Sequence, residues 1–401
     1  MALSVDEALA KILDGVRVMP AETVSIAEAA GRILAEPVAA RLTQPPFDSS
    51  AMDGYAIRSA NLSRLPVRLR VVGQSAAGHP YSGAVGSGEA VRIFTGAPVP
   101  ADTDTVIIQE NTAAFDGEVE VREGGTQANQ NIRPRGGDFR ESDVLLSPGR
   151  RLGPRELTLA ASAGHGELKV RRKPRVAILA TGDELVLPGT LPGPGQIVCS
   201  NPLGVAGLVT QSGAEARFLG IARDTRESLA QHISEAREAD VLVTIGGASV
   251  GDHDLVGPVL EQLGMELSFW KIDMRPGKPL LHGKLGQQRV FGLPGNPVSA
   301  IICTRVFLVP YLRALLGLPD TDDVALTVPL AEPVEVNGPR QHYMRATLEH
   351  TADGSLQVRP ARSQDSSLLA TLASADVLLV RAPHAPPLDV GAPVRVLRLD
   401  F

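Results

Sequence analysis

Apolar positions near the start of the chain recur at helical spacing. Val5, Ala8, Leu9 and Ile12 form one face of a helix, and Ser4 with Glu7 reads as the capping box that opens it. The same signature, Ser25 followed by Glu28, predicts a second helix from about Ser25 to Leu34. From Val38 to about Leu146 the period falls to two. Runs such as Val67-Arg68-Leu69-Arg70-Val71 and Glu118-Val119-Glu120-Val121, punctuated by turn signals such as Asp116-Gly117, predict a small β-rich region. Arg155 to Ala163 returns to helical spacing, and Glu167 to Val170 reads as a short strand. The basic run Arg171-Arg172-Lys173-Pro174 reads as a solvated connection, with a nucleic-acid patch as the sharper alternative.

From Arg175 strands and helices alternate. Val176–Leu179, Ala216–Ile221, Val241–Ile245 and Arg289–Phe291 read as strands. Pro202–Gln211 (with Asn201 as cap), Arg226–Ala239, Val256–Leu263 and the segment from Pro297 read as helices. That alternation predicts a parallel, three-layer α/β domain. After Pro319 alternating runs return, with an Asp353-Gly354 hairpin signal, and predict a compact β-barrel or sandwich.

Composition narrows the classes. A chain of 401 residues with 43% hydrophobic and 21% charged residues is globular and too long for one core. A net charge of −6 argues against broad nucleic-acid or anionic-membrane binding. One Trp and four Tyr leave little aromatic surface for base stacking. Cys199 and Cys303 have no metal-ligand spacing and make no disulfide framework, which fits a reducing cytosol. Asp6 and Glu7 stand where a signal peptide would be apolar, and the apolar stretch Ile301–Val309, broken by Arg305, is too short for a bilayer. The expectation is a soluble, cytoplasmic protein.

Candidate chemistry sits in four loops where strands give way to helices, the place where open parallel sheets bind ligands. They are Ala180-Thr181-Gly182-Asp183-Glu184, Gly246-Gly247-Ala248-Ser249-Val250-Gly251-Asp252-His253-Asp254, Arg275-Pro276-Gly277-Lys278-Pro279, and Gly292-Leu293-Pro294-Gly295-Asn296-Pro297. Their glycines allow close backbone approach, and helix N-termini favour phosphate. Neither GxxxxGK[ST] nor a GxGxxG after a strand is present. Several residues also have plain structural readings. Thr181 with Glu184, Asp224 with Glu227, and Asp252 or Asp254 before Val256 all suit helix caps. If the carboxylates converge to about 5 Å, each pair repels by roughly 3 kcal/mol at an effective dielectric near 20. A divalent cation removes that repulsion, and oxygen ligands beside phosphate suit Mg²⁺. Lys271, Arg275 and Lys278 would supply positive charge for an oxyanion. No spacing marks a covalent nucleophile.

Two further strings, Pro45-Pro46-Phe47-Asp48-Ser49-Ser50-Ala51-Met52-Asp53-Gly54-Tyr55-Ala56 and Ile93-Phe94-Thr95-Gly96-Ala97-Pro98, precede these loops. In this order the set resembles the molybdopterin molybdenumtransferases of the MoeA type, a family that includes the C-terminal domain of gephyrin. The likeness covers nearly the whole chain and is weakest over the last 80 or so residues.

The resemblance implies a multidomain α/β plus β architecture. N-terminal helices over 1–41 would be part of a small mixed domain completed by 143–172. A β-rich domain over 42–142, an α/β molybdopterin-binding domain over 173–319 and a C-terminal β-barrel over 320–401 would follow. It further implies an elongated homodimer whose site lies between the α/β domain of one subunit and the β-rich domain of the other. The reaction would be insertion of molybdate into adenylylated molybdopterin, with Mg²⁺-dependent release of AMP. Asp53, Glu184, Asp224 and Asp254 are the implied catalytic carboxylates, with Asp53, Glu184 and Asp254 at the metal. Thr95, Asp138, Gly246, Gly247, Ser249, Pro294 and Pro297 would bind substrate. Lys271, Arg275 and Lys278 would line the oxyanion side, and Arg345 and Ser366 match by local context. Arg275 departs from the family's common lysine, replacing a point charge with a planar fork. Transient contacts with other cofactor-biosynthesis proteins are also expected, and no nucleic-acid or membrane partner.

Three other classes compete. The adenylyltransferase of the preceding step shares the α/β domain, but its loop reads GGTG then PRD, where this chain continues Ser249-Val250-Gly251-Asp252-His253-Asp254. A pyrophosphatase or deamidase acting on a nucleotide would be separated by substrate depletion tests. A non-catalytic scaffold would leave the carboxylate set without a purpose.

Overall fold

The computed structural model describes residues 2–247, 255–318 and 326–399. Its centre is a six-stranded mixed sheet ordered Glu215–Ala222, Arg175–Thr181, Val241–Ile245, Gln288–Leu293, Pro279–Leu285, Met265–Lys271. The first four strands are parallel, as the alternation predicts. Pro279–Leu285 runs antiparallel to both its neighbours, Gln288–Leu293 and Met265–Lys271, which corrects the expectation of a parallel sheet. Side chains alternate between two apolar layers, so that Val176 and Ile178 enter one core and Ala177 and Leu179 the other. Helices Asn201–Gln211 and Pro297–Cys303 cover the first face; Arg226–Glu235 and Val256–Gln262 cover the second.

The helix from Pro297 continues through a π-helical turn, Thr304–Leu308, to Leu316. Pro310, which has no N–H to give, lies just beyond that turn, and π-bulges are one way a helix accommodates such a defect. By length and composition Pro297–Leu316 could cross a membrane, but 78% of it is buried inside the protein. It is a core helix.

The β-rich unit is a second six-stranded sheet, ordered Thr105–Ile108, Gly54–Ile57, Glu89–Ile93, Val67–Ser75, Glu118–Val121, Thr112–Phe115. Its register follows the sequence period. Leu69 faces Val119 in the core, while Arg68 opposes Glu120 on the outer face, with Nε 3.2 Å from the carboxylate. Asp116-Gly117 makes the two-residue turn of the last hairpin, with Gly117 at φ +74°.

Two N-terminal expectations change. Helix Val5–Leu13 forms with its capping box intact, but Val5, Ala8 and Ile12 pack with Phe269 and Tyr311 of the α/β unit rather than in the small domain. The second helix does not form. Ala21–Ser25 is a strand paired antiparallel with Glu167–Arg171, followed by a single 3-10 turn, Ile26–Glu28. The Ser25 hydroxyl donates to Glu28, but Ser25 belongs to a strand ladder, and Gly31 at φ +73° turns the chain away. Tertiary pairing overrides the local signature here. The basic connection is engaged internally: Arg172 forks onto Asp240 at 2.7 and 3.0 Å.

In the C-terminal sheet, strand Gln341–His350 pairs with Leu356–Pro360, Val377–Arg381 and, in parallel, Met274–Arg275 of the α/β unit. Val377–Arg381 then pairs with Pro393–Arg398, and that strand with Leu326–Pro329. A bridge from Leu330 to Val358 brings the sheet's far edge back to its start.

Candidate active site

Three strands of the α/β sheet end at one cavity of about 580 Å³. Thr181 closes the first strand, Ile245 the second, and Pro294 follows the third. Glu184 and Asp224 both line the cavity, as do Gly246, Gly247, Pro294 and Pro297. These six expected site residues are therefore brought together.

Local geometry explains the residue types. The Glu184 carboxylate folds back over Gly182, where a Cβ would stand 2.5 Å from Oε2. Gly246 and Gly247 take φ of +97° and +59°; a Cβ on the first would lie 2.7 Å from the Thr181 carbonyl oxygen. Thr225, rather than Asp224, caps the following helix by accepting the Ser228 N–H at 3.2 Å. That leaves the Asp224 carboxylate to the cavity. Similarly, Thr181 and Glu184 open no helix, and Asn201, expected as a cap, instead donates to the Gly295 carbonyl at 2.7 Å. The backbone of the GLPGNP loop is thereby tied to helix Asn201–Gln211.

Sequence reasoning did not single out several lining groups. Thr181 Oγ1 and Asn296 Oδ1 are buried without a partner among the described residues, and both residues line the cavity. Ile197 and Val198 form an apolar lip, and Leu369 reaches in from the C-terminal unit. Cys199 is pushed up in pKa, first by burial and then by the nearby Glu184 charge. Asn296 had a signal in the motif itself; Leu369 had none, because only the fold brings it here.

The remaining candidates lie elsewhere. Asp53 accepts both the backbone N–H and the hydroxyl of Thr95, at 2.7 and 2.8 Å. Those two bonds, with Arg92 nearby, hold its carboxyl below the usual range. This pair belongs to the β-rich unit and lines no part of the α/β cavity of the same chain. Asp138 is exposed beside Pro154 and Arg155 in a separate depression. Lys271, Arg275 and Lys278 are exposed along the connection from strand Met265–Lys271 to Pro279, which joins the cavity wall. Ser249 and Asp254 lie outside the described residues.

Arg345 is 1% exposed, and its guanidinium donates to the carbonyls of Leu368 and Ser363, each at 3.2 Å. Ser366 contributes its backbone: its carbonyl accepts the Val298 N–H at the start of the Pro297 helix. Both residues thus act on the loop that carries Leu369. His342 is held neutral, with a pKa near 4, by burial and then by the charges of Arg275, Arg345, Arg340 and Arg381.

Carboxylates, paired glycines and buried polar oxygens at parallel strand ends are the arrangement in which open α/β sheets bind ligands. Three family models match along the chain: the MoeA N-terminal region (domain I and II) over residues 3–164, the probable molybdopterin binding domain over 177–314, and the MoeA C-terminal region (domain IV) over 327–399. A molybdopterin molybdenumtransferase of Haemophilus influenzae is 36% identical, covering 98% of both chains, and one of a Nostoc species is 36% identical over 95% of this chain and 89% of that one. The crystal structure of a molybdopterin biosynthesis MoeA protein from Pyrococcus horikosii superposes with a TM-score of 0.85 at 31% identity over the whole of both chains. The chain belongs to the molybdopterin molybdenumtransferase family, transferases of molybdenum cofactor biosynthesis.

Proposed function

We propose that the cavity holds adenylylated molybdopterin and that the chain inserts molybdate into it with release of AMP. The observation that carries this reading is the meeting of Glu184, Asp224, Gly246 and Gly247 at one cavity, with Thr181 Oγ1 and Asn296 Oδ1 buried there without a partner among the described residues. The names of the relatives supply the substrate class.

In this reading the glycine pair lets the ligand's phosphates approach the backbone, and Thr181 and Asn296 hold its polar edges. Pro294, Pro297 and Leu369 exclude water from the reacting groups, which raises the weight of each electrostatic contact. Lys271, Arg275 and Lys278 attract molybdate to the cavity mouth. Asp53 and Thr95, with Asp138, come from a second copy of the chain in a homodimer, because they do not reach the cavity of their own. The C-terminal sheet closes as a barrel that presents Leu369, Arg345 and Ser366. The enzyme works in the cytoplasm, in transient contact with other cofactor-biosynthesis proteins, and needs no nucleic acid or membrane.

Mg²⁺ is commonly held by one or two carboxylates together with substrate phosphates. Glu184 and Asp224 supply two carboxylates to the cavity, so the residues fit an ion shared with the ligand. Among the described residues no group of three His, Cys, Asp or Glu could hold a metal alone. Bound there, Mg²⁺ would neutralise charge developing on the phosphoanhydride. Asp53 and Asp254 would complete its surroundings or position the attacking water.

The test is AMP release from adenylylated molybdopterin on adding molybdate and Mg²⁺. The wild type is expected to release AMP only with molybdate present, and Asp53→Ala and Asp254→Ala to lose most of that rate. No AMP from the wild type, or both variants matching it, overturns the proposal.

A further inference from the structure

A second cavity, of about 770 Å³, opens at the other ends of the same strands. Its wall includes Asp240, just before strand Val241–Ile245, and Gln288 and Arg289, which begin the next. Four residues of rise separate it from the active site along one strand, roughly 13 Å. It is therefore a distinct site and not an extension of the first.

Four cations line it: Arg17, Arg237, Lys284 and Arg289. Two carboxylates accompany them, Glu238 and Asp240. Asp240 is already matched, since both its oxygens accept from Arg172 and one also accepts the Arg175 N–H at 2.7 Å. The side chains of Arg17, Arg237 and Lys284 make no hydrogen bond or ion pair among the described residues, although Lys284 stands opposite Glu266 in the strand ladder. Arg289 is 8% exposed and set in place, one nitrogen donating to the Asp14 carbonyl at 2.8 Å and the guanidinium lying 6.0 Å from the Tyr311 ring centroid. A concave wall with an ordered guanidinium and three unmatched cations concentrates anions.

We propose that this cavity binds a small molecule carrying a diphosphate group. A single phosphate would leave most of the positive charge unmatched, whereas a diphosphate spans several cations at once. Tyr311 and Leu315, from the core helix, give the organic part of such a ligand an apolar wall. The volume falls within the usual range for small-molecule sites. Segment Gly15–Met19 forms one side, and it joins the first helix on the α/β unit to strand Ala21–Ser25 of the small domain. Occupancy would tie that connection to the α/β unit.

The probe is inorganic pyrophosphate, titrated calorimetrically into the full-length protein in metal-free, low-salt buffer, with hydrogen exchange followed in parallel. Wild type and Lys278→Ala, which alters only the oxyanion loop of the first site, should bind and show slowed exchange over residues 15–19. The double variant Arg237→Ala/Lys284→Ala, both exposed positions that leave the core intact, should bind about tenfold or more weakly and lose that protection. Equal affinity and protection in the double variant would overturn the proposal. So would loss of all binding in Lys278→Ala, or a wild type that does not bind.

Discussion

Gly246→Ala tests whether the backbone at the strand end positions the ligand. The new Cβ would fall 2.7 Å from the Thr181 carbonyl oxygen, where contact becomes ordinary only at 3.4 Å. Since the obstacle is backbone, the loop itself must move, by about 0.7 Å; a displacement of about 1 Å at a reacting group costs on the order of 10²-fold in rate. The positive φ adds about 1–2 kcal/mol of conformational strain, and the crowding about 1–3 kcal/mol more. Gly78→Ala is the matched control, because it has φ +76° and nothing within 4 Å of its added Cβ, so it carries strain without collision. Molybdate-dependent AMP release and thermal unfolding are measured for both. The expected result is a loss of roughly 30- to 100-fold in AMP release for Gly246→Ala and little change for Gly78→Ala. A folded Gly246→Ala protein working within twofold of wild type would refute the reasoning.

Other substitutions separate roles that the sequence left open. Thr225→Ala should cost about 1 kcal/mol of stability as a lost cap and little activity, while Asp224→Asn should keep stability and lower AMP release at least tenfold. Denaturant unfolding and the AMP assay distinguish them, and equal activity losses would make Asp224 structural. Arg345→Lys keeps the charge but cannot fork onto both Leu368 and Ser363, so it should destabilise by about 1–3 kcal/mol and increase protease cutting over 363–369. Thr95→Val removes one of the two bonds that depress the Asp53 pKa, so that pKa should rise toward the ordinary carboxylate value in an NMR titration. The sign follows: a depressed carboxyl pKa gives stability present above the unfolded pKa and lost as pH falls through the folded value, so the variant, with a smaller depression, should be less stable near neutral pH and lose less stability on acidification. Chelation of divalent ions should stop AMP release and added Mg²⁺ restore it; unchanged release in chelator would remove the metal from the account.

Much of the site was legible because its residues sit in loops whose types have few other uses. Glu184, Asp224, Gly246 with Gly247, and Pro294 with Pro297 come from four separate segments and meet at one cavity, as strand order in an open sheet allows. What the sequence could not decide was local competition. Asp224 and Thr225 are both good caps, and only the backbone shows Thr225 taking the role. Ser25 and Glu28 carry a helix signature, yet pairing with Glu167–Arg171 claims the strand instead. The antiparallel strands Pro279–Leu285 and Met265–Lys271 went unseen because a turn-like PGKP loop precedes the first, and Glu266, Ser268 and Lys271 break the apolar run of the second. Leu369 and the hold of Arg345 on its loop depend on contacts between units far apart in sequence, where periodicity carries no information.

In the proposed homodimer one site draws its carboxylates from two copies of the chain. This sharing is tested by mixing Asp53→Ala with Glu184→Ala after reversible dissociation and measuring molybdate-dependent AMP release. Each variant alone should be nearly inactive, and mixed dimers should regain activity, because one of their two sites then carries both native residues. Recovery to an appreciable fraction of the wild-type rate is the predicted result. A mixture no more active than its parts, with mixed dimers shown to form, would place Asp53 and Glu184 in the same chain's site or outside any shared one.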